Sequence, residues 1–254
     1  SSSFFREVLR FGGEGIGAGN FKDNRVIGVD GEGKIYSADY SGGRAQVFDK
    51  DGKFLTQWFL ENQDRSIYAL TVSRKGSVYV AQSGNTVAYD GTNGKVLNKI
   101  STDFVSDLTT TLDGKVIAVD RNSISIFDEN LKNITTFKEI TKTAGVTTSF
   151  YCLTVNGLGE IYAITRDGKD VCKFSADGKL IDRFKTKATT PTDIAVDSKG
   201  RIFISEASKI WVYQSDGNLL NSFDATQTFA ITFNDQGELI TASRPFVVKY
   251  AVNQ

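Results

Sequence analysis

The 254-residue sequence has no histidine, no methionine, two prolines, two cysteines and no net charge, with thirty basic and thirty acidic residues. The missing histidine removes Ser-His-Asp and Cys-His catalysis, HExxH zinc sites and every His-ligated metal together. Cys152 and Cys172 alone make neither a structural zinc site nor a disulfide framework. Charge balance removes a global field toward nucleic acid or anionic lipid, although a local patch stays open. No apolar run approaches the roughly 20 residues of a membrane-spanning helix, and SSSFFREVLRFGG at the N-terminus has no secretory apolar core. A soluble chain without a membrane span is therefore expected. With no methionine even at position 1, the expectation is a processed chain or a domain of a longer protein. An extracytoplasmic location follows only if it is processed or tethered, and the compartment is otherwise open.

What the sequence does contain is one pattern written six times: an apolar strand, a polar turn ending in glycine, and a second apolar strand. The copies are VIGVDGEGKIYSA, LTVSRKGSVYVA, LTTTLDGKVIAV, LTVNGLGEIYAI, IAVDSKGRIFIS and ITFNDQGELITA. Their turn glycines, Gly33, Gly76, Gly114, Gly159, Gly200 and Gly237, recur every 37 to 45 residues. That period suits one four-stranded propeller blade. Five copies continue into a third and fourth strand, as in VFDKDGKFLTQWF, while the sixth stops at VVKYAVNQ. FREVLRFGG, before the first copy, has the pattern of the missing fourth strand. Pairing it with residues 246–252 would close the ring and leave only short, protected edges. Strand residues dominate and no 3.6-residue amphipathic period stands out. The predicted fold is all-β, a six-bladed β-propeller of four-stranded antiparallel blades in one domain over residues 1–254. The blades are placed at about 25–60, 66–100, 104–137, 150–184, 191–223, and 228–252 with 4–11.

The segment FGGEGIGAGNFKDNRVIGVDGEGKIYSADYSGGRAQVFDKDGKFL, residues 11–55, resembles an NHL repeat in its glycine loop, its VD-x-x-GKIY core and its D-x-x-x-x-R-x-Q-V-F third strand. PTDIAVDSKGRIFISEASKIWVYQSDGNLL resembles it nearly as well. The remaining blades keep the strands but not the arginine: Asn85, Ser123, Asp170, Lys209 and Phe246 stand where the first blade has Arg44. The resemblance implies binding of proteins, or in some members RNA, on one propeller face, with a minority of six-bladed relatives being enzymes. Fold alone does not choose among these.

Several stretches invite a sharper reading. GEGIGA, Gly13 to Ala18, matches a relaxed dinucleotide fingerprint, but a strand follows where a helix should, so a flexible inter-blade loop is expected. DKDGK lacks the later ligands of a calcium loop and reads as a hairpin turn. Cys152 and Cys172 fall on the first and third strands of one blade, about 10 Å apart, and are expected to be free, buried thiols. Seven positions before each turn glycine stand Val26, Ala69, Asp107, Cys152, Asp193 and Ala230, near the mouth of the central channel. Asp107 and Asp193 are the candidate metal ligands of an enzymatic reading. Resemblance to calcium-dependent lactonases of this fold would require a glutamate and several further Asn or Asp ligands there, so no metal or other cofactor is expected, and calcium belongs to the alternative alone.

By register the same end presents Arg25, Tyr40, Tyr68, Arg121, Tyr151, Arg166, Phe229 and Arg244 as candidate binding residues, the Tyr and Arg types that dominate hot spots. KEITKTAGVTTS, residues 138–149, is expected to overhang that face beside the fourth blade. The favoured function is a non-catalytic recognition or scaffold domain, monomeric, binding a protein, peptide or glycan. The alternative is a metal-dependent hydrolase or lyase using Asp107 and Asp193. Nucleic acid is disfavoured because Asp39, Asp64, Asp103, Asp120 and Glu206 interleave with the arginines.

Overall fold

A computed structural model describes residues 4–253. They form six antiparallel sheets of four strands each, arranged as a ring. In five sheets the strands follow chain order from the channel outward. Blade one, for example, runs Asn24–Val29, Ile35–Asp39, Arg44–Phe48, Phe54–Phe59. The sixth sheet breaks the rule as expected: its outermost strand is Phe5–Gly12, paired with Phe246–Val252 from Phe5↔Val252 to Gly12↔Phe246, with a bulge between Glu7 and Leu9. The first and last segments thus build one blade, and Asn253 N–H donates to Phe4 O at 2.8 Å where the two ends meet. Phe4 and Asn253 lie at the short-turn end of the ring, because Phe246 begins its strand at the mouth end and Val252 finishes it at the other.

The described residues form no central core. Each of the six apolar clusters is shared by two neighbouring blades; Val26, Val47 and Trp58 of blade one pack with Leu70, Val80 and Tyr89 of blade two, and Phe48 and Ile35 of blade one pack with Ile240 and Val247 of blade six. Burial falls outward accordingly. Ile35–Asp39 and Arg44–Phe48 are buried along their whole length, whereas Phe54–Phe59 alternates between sheltered and exposed positions.

The six inner turns share one chemistry. The side chains of Asp30, Ser73, Thr111, Asn156, Asp197 and Asn234 each accept the backbone N–H four residues on, and the turn glycines that follow them have φ between 76° and 92°. That left-handed conformation is why glycine recurs there. DKDGK is built the same way: Asp49 Oδ1 accepts from the N–H groups of Asp51 and Lys53.

Two local expectations are corrected. The glycine-rich loop is not a flexible connection, because Arg44 donates to the carbonyls of Ile16, Gly17 and Asn20 while pairing with Asp39, and Gln46 bonds Gly19 N–H and Asn20 O. Among the described residues this loop leads into blade one alone, and Arg44, the arginine that the other blades lack at its position, holds it in place. Residues 138–149 contain one helical turn, Ile140–Ala144, whose Ile140 and Ala144 enter the core between blades three and four, with Arg183 donating to the carbonyls of Ala144 and Gly145. The segment seals an inter-blade seam and does not line the channel. A five-residue helix is too short to show a period.

Removing residues 1–11 strips the outer strand of blade six and takes away Phe5, stacked 4.1 Å from Tyr250, and Phe11, 4.7 Å from Phe48. Several kcal/mol of apolar burial are lost, so the expected outcome is a melting temperature lower by roughly 10 °C or more. Thermal melts followed by circular dichroism check it; an unchanged midpoint would mean that the ring does not depend on this closure.

Candidate functional site

The inner strands enclose a channel along the ring axis with a cavity of about 1160 Å³. Its two ends differ in kind. One is ringed by the small repeated turns, crossed by an Arg74–Asp235 ion pair at 2.7 Å that reaches from blade two to blade six. The other carries the loops between blades and those joining second to third strands, and here the large polar-tipped side chains gather.

The Arg25 guanidinium lies over the Tyr40 ring at 4.1 Å and over Phe229 at 5.1 Å, held by hydrogen bonds of 2.8 to 3.1 Å to the Asp23 carboxylate. Arg244 approaches Phe229 at 6.0 Å and Asp23 at 3.5 Å. Tyr68 packs on Phe104 at 5.2 Å, with Arg121 over the same ring at 5.7 Å. Arg166 stacks on Tyr151 at 4.6 Å. Of the eight expected mouth residues, Arg25, Tyr40, Tyr68, Tyr151, Arg166 and Phe229 line the cavity; Arg121 and Arg244 stand behind it, each against a lining aromatic. Phe104 also lines it. The register count overlooks Phe104 because it stands ten positions before Gly114, whereas Tyr68, Tyr151 and Phe229 stand eight before their own turn glycines.

Below this rim, blades three, four and five bring Asp107, Cys152 and Asp193 together, with one ligand-type atom of each within 4.8 Å of the others. Each carboxylate ties two blades. Asp107 accepts from its neighbour Leu108 N–H and from Leu153 N–H of blade four; Asp193 accepts from Ile194 N–H and from Ile231 N–H of blade six, all at 2.8 to 2.9 Å. Cys152 Sγ donates to Thr192 O at 3.3 Å, continuing the series from blade four to blade five. Burial, and then the charge of Asp193, holds Asp107 well above the usual carboxylate range. Burial pushes Asp193 up to about 7, outweighing its two backbone donors. Burial likewise raises the Cys152 thiol, with both carboxylates adding to the effect, so it stays protonated. Cys172 is a second free, buried thiol on the third strand of the same blade.

As a cation site the trio is incomplete. All four carboxylate oxygens already accept a backbone N–H, the sulfur is a neutral thiol, and three donors fall short of the six to eight oxygens that calcium takes. The residues present do not fit the calcium centre of a lactonase-like propeller.

No family model and no curated protein matches the sequence. Among solved structures the chain is similar to a streptogramin B lyase at TM-score 0.68 and 14% identity, covering 100% of both chains. It is similar to the β-propeller domain of Cps50 (Swd1) from Myceliophteria thermophila at 0.65 and 12%, covering 91% of this chain and 96% of that one. A virginiamycin B lyase from Staphylococcus aureus matches at 0.64 and 15%, over 89% and 80%. At such identities the likeness establishes the propeller fold, which proteins of different activity share.

Because Asp107 and Asp193 are raised from an unfolded value near 4, their contribution to stability is full below about pH 4 and is lost as pH rises through their raised values, about 7 for Asp193. Melting temperature is therefore expected to fall by roughly 5 °C from pH 5 to pH 8 through this pair. Asp107→Asn keeps one acceptor for a backbone N–H, removes one of the two charges and should flatten the slope. Melts across that range compare the two proteins; parallel profiles would show that the pair does not set it.

Proposed function

We propose that this propeller is a non-catalytic recognition domain that binds a protein, peptide or glycan partner in the aromatic mouth of its channel. The observation that carries the reading is the rim itself: five aromatic rings, from Tyr40, Tyr68, Phe104, Tyr151 and Phe229, line one concave opening, with guanidinium groups stacked on them. Such rings offer large rigid surfaces that lose little entropy on contact. Tyr40, Tyr68 and Tyr151 line the cavity, and their hydroxyls have no hydrogen-bond partner among the described residues. The resemblance of residues 11–55 to an NHL repeat supports the same class of function. The opposite end offers only small turns of one repeated design.

The mouth variants Tyr40→Ala, Tyr151→Ala and Arg166→Ala are expected to weaken binding at least tenfold, since loss of one anchor typically costs about 2 kcal/mol or more. Lys50→Ala and Lys199→Ala in the turns should leave it intact. Peptide and glycan arrays probed with each variant test this, and loss confined to the turn variants would place the site on the other face.

A second reading, a metal-dependent lyase or hydrolase, is favoured by one observation, the convergence of Asp107, Cys152 and Asp193, and by the presence of two lyases among the proteins of similar fold. The incomplete donor set argues against it. Calorimetric titration of the metal-stripped protein with calcium is expected to give no saturable one-to-one site. A micromolar site lost in Asp107→Ala or Asp193→Ala would replace the recognition reading with the enzymatic one.

A further inference from the structure

Four cationic side chains line the channel: Arg25, Arg74, Arg166 and Lys173. Three are ion-paired, Arg25 with Asp23, Arg74 with Asp235 and Lys173 with Glu160. Arg166 is the exception. Its guanidinium rests on the Tyr151 ring at 4.6 Å and makes no hydrogen bond or ion pair among the described residues. Stacking fixes the plane of a guanidinium while leaving its edge donors open, the geometry that accepts a planar carboxylate in two parallel hydrogen bonds.

The surroundings narrow the anion. Asp107 and Asp193 lie in the neck on either side of Cys152, the residue that follows Tyr151. Of the four lining cations only Arg166 lacks an acidic partner, so the cavity wall offers a direct partner to one negative charge. The remaining rim is aromatic, with Tyr68, Phe104 and Phe229 all open to the cavity and none carrying a charge. A polyanion such as a phosphate chain finds Arg166 and, behind Phe104, Arg121, whereas an apolar side chain finds several rings.

We infer that the mouth recognises a peptide carrying one carboxylate next to an aromatic or bulky apolar side chain, with the carboxylate held by Arg166 on its Tyr151 platform and the apolar group against the neighbouring rings. This rests on the recognition reading above and adds the chemistry of the ligand. The carboxylate has two sources, a chain terminus or an acidic side chain, and both present the same planar monoanion to Arg166.

The test uses the whole chain and three short probes followed by NMR titration: N-acetyl-Gly-Gly-Phe as the free acid, the same peptide as its carboxamide, and N-acetyl-Phe-Asp-Gly carboxamide. The free acid, the aspartyl peptide or both should bind at least tenfold more tightly than the first carboxamide. Preference for the free acid identifies a chain terminus, and preference for the aspartyl peptide an acidic side chain. Arg166→Gln should bring the favoured probe down to the carboxamide, Arg166→Lys should restore part of the difference, and inorganic phosphate should not compete. Equal binding of acids and carboxamide, discrimination that survives Arg166→Gln, or competition by phosphate overturns the inference. Tyr40→Ala separates the two levels: if it weakens acids and carboxamide alike while Arg166→Gln changes nothing, the mouth is a binding site without a carboxylate anchor. If no probe binds, the inference falls, and if Tyr40→Ala changes nothing for probes that do bind, the mouth reading falls as well.

Discussion

Apolar packing between neighbouring blades is the interaction on which everything else in this protein depends. A four-stranded sheet of this size has no interior of its own, so Trp58 or Phe48 is sheltered only when the next blade is in place. Stability is then a sum around a ring in which each seam needs both of its neighbours. An open arc of six blades would leave two unpartnered faces. The chain avoids this by giving its outermost strand of blade six to residues 5–12, which lie at the far end of the sequence from residues 228–252. The channel, its rim and the spacing of the rim rings all follow from holding six sheets at one radius.

The same requirement explains what the neck carboxylates do. The N–H groups of Leu153 and Ile231 need acceptors near the axis, where inner strands of different blades do not pair with one another. Asp107 and Asp193 supply them. An acid is a costly way to join two blades, because its ionised form is desolvated and a second carboxyl lies close by, which is why both are held above the usual range. Asp107, Cys152 and Asp193 occupy one repeat position in three successive blades, and Val26, Ala69 and Ala230 fill it in the others without an equivalent link. At this position three seams are therefore tied by polar groups near the axis, while the other three are bonded elsewhere, as by Asn24 Nδ2 to Phe246 O and Trp58 Nε1 to Gly91 O.

Most of the architecture is legible in the sequence because every blade repeats one piece of turn chemistry, a capping side chain and a glycine at positive φ, and because FREVLRFGG has no partner nearby in the chain. The mouth is legible to the extent that it obeys the same register, which is how Tyr68, Tyr151 and Phe229 can be placed together. Phe104 escapes because the connection into blade three shifts by two residues. The helical turn at Ile140–Ala144 escapes because its two buried side chains make a contact and not a period. Least visible is whether a polar residue is free or engaged. Arg44 and Arg166 look alike in the sequence, yet one is enclosed by three backbone carbonyls and a carboxylate while the other faces the channel without a partner.

The meeting of Phe4 and Asn253 at the short-turn end sets a polarity for anything joined to this domain. A fusion partner, a surface anchor or an immobilisation tag attached at either end departs from the side facing away from the aromatic rim. Coupled to a solid support through either terminus, the molecule stands with its opening toward solution. A short peptide bridging the two ends would make a circular chain, and new ends could then be cut at a blade-to-blade connection other than the glycine-rich one, where Arg44 grips the loop from within, and residues 138–149, whose helical turn enters the core between blades three and four.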